Sequence, residues 1–226
     1  MAIRDIRLWD GSQLKLDEWV HFPSFSTMEI AAASSPDLRV FNYVTGNTVT
    51  SNLATKRAAT DADTNWTTKS RTNFDEAFVV YGVTYEIFGL TDAPERTAGQ
   101  GSPAPAPMVT RQNVMRLQRD CTLELFYGAG QSKPQLRQTF SRIPQSVGAV
   151  AHGTSFGVVV NTAVVRDIGT GGAVSPKNQW LLALPIFMES DRNFYLRFKA
   201  YRAMLDMDQD IRLRFYLDGM KRRPVA

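Results

Sequence analysis

Apolar and polar residues alternate along most of this chain, and the alternation is clearest near its C-terminal end. In residues 194–201 the even positions are apolar, and the odd positions carry Tyr195, Arg197, Lys199 and Tyr201. In residues 211–217 the odd positions are apolar, and the even positions carry Arg212, Arg214 and Tyr216. Because successive side chains of a strand point to opposite faces, both segments are predicted to be strands with one buried and one cationic face.

The same period of two recurs upstream and predicts a protein built mainly of strands. Val, Phe, Tyr and Thr are frequent in these segments, as expected for β-sheet. We predict about eight to ten strands, at residues 3–9, 18–22, 38–44, 79–87, 122–127, 137–143, 156–165, 180–188, 194–201 and 211–217. The almost continuously apolar segments among them, 156–165 and 180–188, are predicted to be buried on both faces. Short helices are predicted only at 107–119 and 200–207.

Two long segments interrupt the strand pattern. Residues 42–73 are rich in Thr, Asn, Ser, Ala and Asp, and residues 93–107 are rich in Pro, Gly and Ala. Proline lacks the backbone donor that a strand ladder needs, so both segments are predicted to be extended surface loops. Many strands joined by turn residues predict an all-β fold, an antiparallel β-sandwich or barrel, as a single domain over residues 1–226.

The composition of the chain excludes disulfide bonds and a structural zinc site as sources of stability for such a fold. A chain of 226 residues with 43% hydrophobic residues can bury a sizeable core. Cys121 is the only cysteine and His21 and His152 are the only histidines, which excludes a disulfide framework and a structural zinc site. We therefore predict no metal and no cofactor. The N-terminal segment lacks the apolar stretch of a secretory signal, so the mature protein is expected to be the translated one.

The formal net charge of +4 is concentrated at the C-terminal end. Residues 192–226 carry nine basic and four acidic side chains, which leaves the rest of the chain close to neutral. Such an excess favours an anionic partner, either nucleic acid, lipid head groups or an acidic patch on a neighbouring subunit. Lys221, Arg222 and Arg223 in a C-terminal arm, 221–226, are the candidate anion-binding residues. The alternative is a solvated strand face whose charges prevent edge pairing.

The best match to a catalytic motif is the G-x-S-x-G string around Ser155. A nucleophile elbow needs a strand, a sharp turn and a helix, with a histidine later in the chain. Both histidines precede Ser155, and residues 158–160 are all valine. We therefore predict a glycine-bounded turn leading into a strand.

Other candidate sites also lack residues that the corresponding motifs require. Asp206, Asp208 and Asp210 imitate the start of an EF-hand loop, but Ile211 and Leu217 stand where that loop needs glycine and glutamate. A looser cation site at a subunit contact stays open. Cys121 is interpreted as buried packing. No catalytic residue is predicted, and the chain is not expected to be an enzyme.

The polar faces of the last two strands are instead the candidate subunit interface. Tyrosine and arginine are enriched at protein interfaces, although the same pair also stacks on bases and follows phosphates in nucleic-acid sites. The predicted interface residues are Tyr195, Arg197, Lys199, Tyr201, Arg212, Arg214 and Tyr216. Direct nucleic-acid contact is the alternative.

These features together resemble the jelly-roll coat proteins of icosahedral viruses, including tailless bacteriophages. The resemblance covers the whole chain loosely: many strands, long loops, Trp9 and Trp19 in N-terminal segments, and a last strand ending in Lys-Arg-Arg-Pro at 221–224. It implies a single eight-stranded jelly roll, with a compact double roll as the alternative. It also implies outer or intersubunit surfaces at 42–73 and 93–107.

The resemblance further implies a capsid subunit that assembles through sandwich edges, loops and terminal arms. Its partners would be itself, as a trimer or higher homo-oligomer, and other virion proteins, with genome nucleic acid or an internal lipid membrane at the basic tail. The expected location is the virion, after synthesis in the host cytoplasm. The main alternative is a carbohydrate-binding or host-attachment β-sandwich, with Trp66 or Trp180 stacking on a sugar.

Overall fold

The computed structural model describes residues 5–7, 13–15, 19–72, 77–90, 111–128, 133–143, 153–159, 162–168, 180–202, 205–207 and 210–222. One helix lies in this part, α1 (Arg111–Asp120), together with a short 3₁₀ turn at Phe140–Arg142. The strands of the first half are β1 (Asp5–Arg7), β2 (Gln13–Lys15), β3 (Trp19–His21), β4 (Ser24–Ile30), β5 (Asp37–Val40), β6 (Thr50–Ser51) and β7 (Phe78–Gly89). Those of the second half are β8 (Cys121–Tyr127), β9 (Leu136–Thr139), β10 (Gly153–Val159), β11 (Thr162–Ile168), β12 (Trp180–Met188), β13 (Phe194–Ala200) and β14 (Ile211–Arg222).

Two sheets carry the fold. The six-stranded sheet has the order β12-β7-β14-β4-β6, and β3 continues beside β14 beyond the end of β4. The four-stranded sheet has the order β5-β13-β8-β9. Every pairing in them is antiparallel except β4 with β6. Two further hairpins, β1-β2 and β10-β11, stand outside these sheets. The predicted all-β sandwich is confirmed at this level.

The core lies between the two sheets and uses the apolar positions that the alternation predicts. On β13 and β14 these positions are almost entirely buried, at Phe194, Leu196, Phe198, Ile211, Leu213, Phe215 and Leu217. Phe198 and Phe215 meet across the sandwich with ring centroids 6.1 Å apart, and Phe140 touches both. Aromatic pairs of this kind add to the energy of area burial, so they fix how the sheets face each other.

A β-bulge at Tyr81 of β7 interrupts the register between β7 and β14, because Asp218 pairs with Gly82 and Gly219 pairs with Val80. The register with β7 shifts between Asp218 and Gly219. A Cβ atom at Gly219 would stand 2.5 Å from Phe78 Cζ and would also collide with the Val79 carbonyl oxygen. Glycine is therefore required at this close approach of two backbones.

Residues 42–72 form the predicted loop between β5 and β7, but this loop is packed rather than extended. Trp66 is only 6% exposed, and its ring lies 4.9 Å from Phe194 and 5.6 Å from Phe41, measured between centroids. Its indole N–H donates to the Arg71 carbonyl oxygen at 2.7 Å. The loop is thus anchored in the main core. The other predicted loop, 93–107, lies outside the described residues.

Most other predicted elements are found, with four differences. Residues 156–165 belong to the two strands of a hairpin, β10 and β11, rather than to one strand. Strands β2, β4 and β6 were not predicted. The described part of 200–207 contains no helix, whereas α1 lies within the other helical candidate apart from its last residue. The tail begins later than predicted because β14 extends to residue 222, so only 223–226 are left for an arm, and they lie outside the described residues.

Candidate subunit interface

The seven predicted interface residues do not form one surface. Tyr195, Arg197 and Lys199 lie on the outer face of the four-stranded sheet, whereas the three from β14 lie on the outer face of the six-stranded sheet. The inner faces of the sheets meet in the core, so these outer faces point away from each other. Tyr201 follows the end of β13 and is 57% exposed.

The outer face of the four-stranded sheet carries a stack of three side chains. The rings of Phe126 and Tyr195, on neighbouring strands, lie 4.8 Å apart at an interplanar angle of 18°. The Arg39 guanidinium carbon lies 4.4 Å from the centre of the Tyr195 ring. Such a stack holds the arginine in place by cation–π attraction. Because Phe126 and Tyr195 are only 5% and 9% exposed, Arg39 is the exposed part of the stack.

Ion pairs reduce the positive charge of this face. Arg197 donates to Asp37 at 2.6 Å, and its Nη1 lies 3.7 Å from a Glu124 carboxylate oxygen. Arg137 pairs with the same glutamate at 2.8 Å. The hydrogen bond from Arg197 lowers the pKa of Asp37, so that carboxylate stays charged. The predicted cationic face is therefore one of mixed charge.

The outer face of the six-stranded sheet holds a buried ionic network. Glu29 on β4 is 1% exposed and accepts from Arg57 at 2.7 Å and from Arg212 at 3.1 Å. Arg57 also makes a bidentate pair with Asp63. Burial alone would raise the pKa of Asp63, but Arg57 and the N–H and hydroxyl of Thr60 outweigh it and lower the pKa to about 2. The network holds the loop against the sheet.

The other two β14 side chains are also engaged within the chain. Tyr216 donates its hydroxyl proton to Glu86 at 2.6 Å, and burial together with this carboxylate raises the pKa of Tyr216 to about 12. Arg214 pairs with Glu86 at 3.5 Å and donates to the Ala62 carbonyl oxygen of the loop at 2.7 Å. Arg214 thus binds the loop directly and Arg212 is linked to it through Glu29, whereas Tyr216 is bonded to β7. Sequence alone did not indicate these contacts.

The same loop caps the exposed edge of β4. The backbone amides of residues 25, 27 and 31 donate to its side-chain oxygens, namely Asn65 Oδ1, the Tyr43 hydroxyl and Asn52 Oδ1, at 2.8, 3.0 and 2.8 Å. The carbonyl oxygens of Phe25 and Thr27 accept from Thr64 and Tyr43. An edge whose backbone groups are satisfied in this way offers little to an incoming strand.

An exposed corner joins α1 to the end of β13. Met115 and Tyr201 are the two large hydrophobic side chains that stand out as exposed in the described part, each at 57%. Arg119 lies one helical turn from Met115, and both Arg119 and Arg202 pair with the Asp120 carboxylate, at 2.8 and 3.2 Å. We call Met115, Arg119, Tyr201 and Arg202 the exposed corner. Of these, only Tyr201 was among the predicted site residues, because Met115 and Arg119 lie on a helix without a clear stripe.

The predicted anion-binding residues are partly built into the sheet. The Lys221 ammonium nitrogen lies 4.4 Å from the centre of the Phe22 ring. Arg222 pairs with Trp19 on β3 and donates its backbone N–H to the Ala77 carbonyl oxygen at 3.0 Å. Arg223 lies outside the described residues. Two of the three predicted anion-binding residues, Lys221 and Arg222, thus belong to β14.

The rejected chemical motifs are placed as follows. Ser155 lies in the middle of β10, opposite Arg166, so the glycine-bounded turn predicted there is a strand and no nucleophile elbow exists. Cys121 is buried, and burial raises the pKa of its thiol. His21 stacks on Tyr81 with ring centroids 6.2 Å apart. His152 lies outside the described residues.

The described residues form neither the looser cation site nor a surface for sugar stacking. Asp206 pairs with Arg116 at 3.4 Å, and Asp210 accepts from the Ala32 amide at 2.8 Å. Asp208 falls outside the described part, within which no group of three or more His, Cys, Asp or Glu could hold a metal ion. Trp66 is buried in the core, which overturns its prediction as a sugar platform, and the side chain of Trp180 is not among those described.

One buried carboxylate gives a test of the outer face of β14, beside the bulge in β7. Asp218 is 7% exposed, and its Oδ2 atom has no hydrogen-bond partner. Burial raises its pKa against the opposing effects of His21 and Thr84. An acid whose pKa is raised in the folded state loses stability as the pH rises from its unfolded pKa through its folded one.

We therefore expect Asp218→Asn to raise the free energy of unfolding at pH 7 by about 1 kcal/mol, because the amide removes the cost of a buried, half-satisfied charge. The gain should shrink towards pH 3, where the carboxyl is protonated in both states. Urea unfolding at pH 7 and at pH 3 measures this gain in stability. Asp61→Asn, at an exposed position, is the control, and a variant less stable than the parent protein at pH 7 would contradict the interpretation.

Comparison of the chain with family models, with curated proteins and with solved structures found no match. In the described residues, no helix has both the length and the apolar character needed to cross a membrane. Functional conclusions for this chain therefore depend on its own geometry.

Proposed function

We propose that this chain is a capsid subunit, a structural virion protein built on a single eight-stranded jelly roll. The observation that carries the proposal is the way in which strands pair across the chain. The outermost pair is β4 with β14, the next is β5 with β13, the third is β7 with β12, and the innermost is β8 with β9. All four pairs are antiparallel, so the chain follows the path of one long hairpin.

The distribution of these pairs between the sheets supports a roll. The first and third pairs lie in the six-stranded sheet, and the second and fourth lie in the four-stranded sheet. A long antiparallel ribbon wrapped around a core distributes its successive pairs in this way, which is the jelly-roll arrangement found in viral capsid and lectin domains. One nested set of eight strands favours a single roll over a compact double one.

A fold hosts several functions, so the surface has to support the choice of a shell subunit. The exposed corner combines tyrosine, methionine and arginine, which are the residues enriched at protein interfaces. On the outer face of the four-stranded sheet, the exposed Arg39 is held in place by the buried rings of Tyr195 and Phe126 and offers a second contact point. Because the edge of β4 is capped, we propose that subunits meet through these surfaces and the loops rather than through that edge.

In this proposal the main partner is the protein itself, as a trimer or higher homo-oligomer, together with other virion proteins. Repetition of modest contacts around a closed symmetric shell gives the assembly its stability. Any contact with genome nucleic acid or an internal lipid membrane is assigned to the residues after β14, beginning with Arg223. The protein would be synthesised in the host cytoplasm and located in the virion, without catalytic activity.

The exposed corner gives the test of this function. We expect the double variant Met115→Ala, Tyr201→Ala to weaken self-association by about tenfold or more, because exposed side chains of this kind become interface anchors when they are buried by a partner. Sedimentation velocity over a range of concentrations measures the association. The free energy of unfolding of the dispersed protein should stay within about 0.5 kcal/mol of the parent value.

Lys133→Ala, at another exposed site, is the matched control and should associate as the parent protein does. An association constant that the double variant leaves unchanged would remove the exposed corner from the assembly. A parent protein that remains monomeric at every concentration would contradict the function itself.

A further inference from the structure

A polar cleft lies in the packed loop. Its volume is about 410 Å³, which is within the range of small-ligand sites. The groups that line it are mainly amides, hydroxyls and two ammonium groups, with Asn42, Asn47, Thr48, Ser51, Lys56 and Lys69 the residues that matter here. Neither the predicted interface residues nor the exposed corner contributes to it.

The charge of the cleft is positive and is not balanced from within. Both lysines are exposed, and the described lining contains no carboxylate. The nearby acids of the loop are already engaged, since Asp61 accepts from Thr45 at 2.9 Å and Asp63 is bound by Arg57. An anionic group in the cleft would therefore meet two cations and no acid among the described lining residues.

The walls of the cleft are rigid. A small hairpin inside the loop is held by backbone hydrogen bonds from Gly46 to Ala59, from Ala59 to Asn47 and from Val49 to Arg57, at 2.9, 2.7 and 3.1 Å. Tyr43, Val49 and Ala59 form a buried cluster beneath it. The ionic network at Arg57 fixes this hairpin to the sheet, so the cleft exists before any ligand arrives.

Unusual backbone geometry occurs beside the cleft, at two residues that are hydrogen-bonded to each other. Phe41 and Ser70 adopt positive φ values of 62° and 52°, although neither is glycine, and they are chain neighbours of Asn42 and Lys69. The Ser70 amide donates to the Phe41 carbonyl oxygen at 3.0 Å, and its hydroxyl donates to Asn42 Oδ1 at 2.7 Å. Strained conformations of this kind persist where the surroundings impose them, and they concentrate at ligand sites.

We propose that this cleft binds an acidic saccharide, a hydroxylated ring that bears a carboxylate or sulfate group. Lys56 and Lys69 would bind the anionic group. Asn47, Thr48 and Ser51 would exchange hydrogen bonds with ring hydroxyls, and Asn42 can offer its amide donors because its oxygen is already used by Ser70. The one aromatic residue in the lining, Tyr43, is buried, so no exposed ring is present on which a nucleobase would stack. Saccharide binding would be an activity in addition to shell building.

Calorimetric titration of the dispersed full chain tests the proposal, with a heparin-derived tetrasaccharide as the probe and maltotetraose as its neutral counterpart. We expect the sulfated tetrasaccharide to bind at least about tenfold more tightly than both maltotetraose and inorganic sulfate, because the cleft recognises charge and hydroxyls together. The double variant Lys56→Gln, Lys69→Gln should lose about tenfold or more in affinity. Thr48→Val, which leaves the charge unchanged, should lose a smaller but measurable part of the affinity for the tetrasaccharide.

The matched control is Lys133→Gln, Lys199→Gln, which removes the same charge outside the cleft and should retain the parent affinity. An equal loss in this control would show general electrostatic attraction and would overturn the site. Inorganic sulfate that binds as tightly as the tetrasaccharide would reduce the cleft to an anion site and would overturn the saccharide assignment. Because binding is measured on dispersed protein, its failure would leave the assembly proposal unaffected.

Discussion

Replacing Trp66 by alanine is expected to lower the free energy of unfolding by about 3–5 kcal/mol, which is the usual cost of removing a buried indole. The ring lies between Phe41, Phe78 and Phe194, so its loss leaves a cavity that rigid aromatic neighbours fill poorly. The Arg71 carbonyl oxygen also loses its donor. Urea unfolding followed by fluorescence of the remaining tryptophans, or by circular dichroism, measures the change.

Tyr201→Ala is the control for this experiment because it removes an aromatic ring of similar type from an exposed position. Its effect on dispersed protein should be within about 0.5 kcal/mol. If Trp66→Ala were equally harmless, the loop 42–72 could not be anchored in the core as described. The cleft and the capped edge of β4 would then lose their structural basis.

Replacing Arg57 by alanine is expected to lower the free energy of unfolding by about 3 kcal/mol. This value is at the lower end of the range for a broken buried ion pair, because the Arg57 side chain is 34% exposed. The variant leaves Asp63 without its bidentate partner and leaves Glu29 with Arg212 alone. Both carboxylates are almost fully buried, so water that enters the space left by Arg57 replaces only part of the lost interaction. Thermal or urea unfolding at pH 7 measures the loss.

The pH dependence separates this ionic effect from a simple loss of packing. The pKa of Asp63 is lowered to about 2 in the folded state, from 3.8 in the unfolded state. The contribution of Asp63 to the stability of the fold is therefore present above pH 3.8 and is lost as the pH falls through about 2. The difference between the parent protein and Arg57→Ala should therefore narrow below pH 4. Arg192→Ala, which breaks an exposed pair with Glu189, is the control and should cost at most about 0.5 kcal/mol. A pH-independent difference would contradict the ionic account.

Periodicity predicted the strands whose inward positions are large and apolar, and it failed where hydroxyls face inward. Strand β4 was missed because Ser24 and Ser26 occupy inward positions and are fully buried. The Ser26 hydroxyl oxygen accepts a hydrogen bond from the Phe41 amide at 3.2 Å, which satisfies it inside the sandwich. A sequence contains no local sign of such a distant partner.

The cationic faces were predicted from local alternation, but their neutralisation depends on pairs far apart in the chain. Glu29 meets Arg212 across 183 positions, and Glu86 meets Tyr216 across 130. Strand order decides which charges face each other, and sequence alone did not give that order. The exposed corner was missed for a related reason, since it depends on a contact between residues far apart in the chain. The Tyr201 amide donates to the Asp120 carbonyl oxygen at the end of α1, at 2.9 Å.

The central claim, that this chain builds a shell from copies of itself, is tested most directly by the molar mass of the purified full-length protein in solution. Size-exclusion chromatography with multi-angle light scattering should give a trimer or a larger closed particle, with a mass that is a multiple of 25.3 kDa. A single species of 25.3 kDa at every concentration and salt condition would contradict the account.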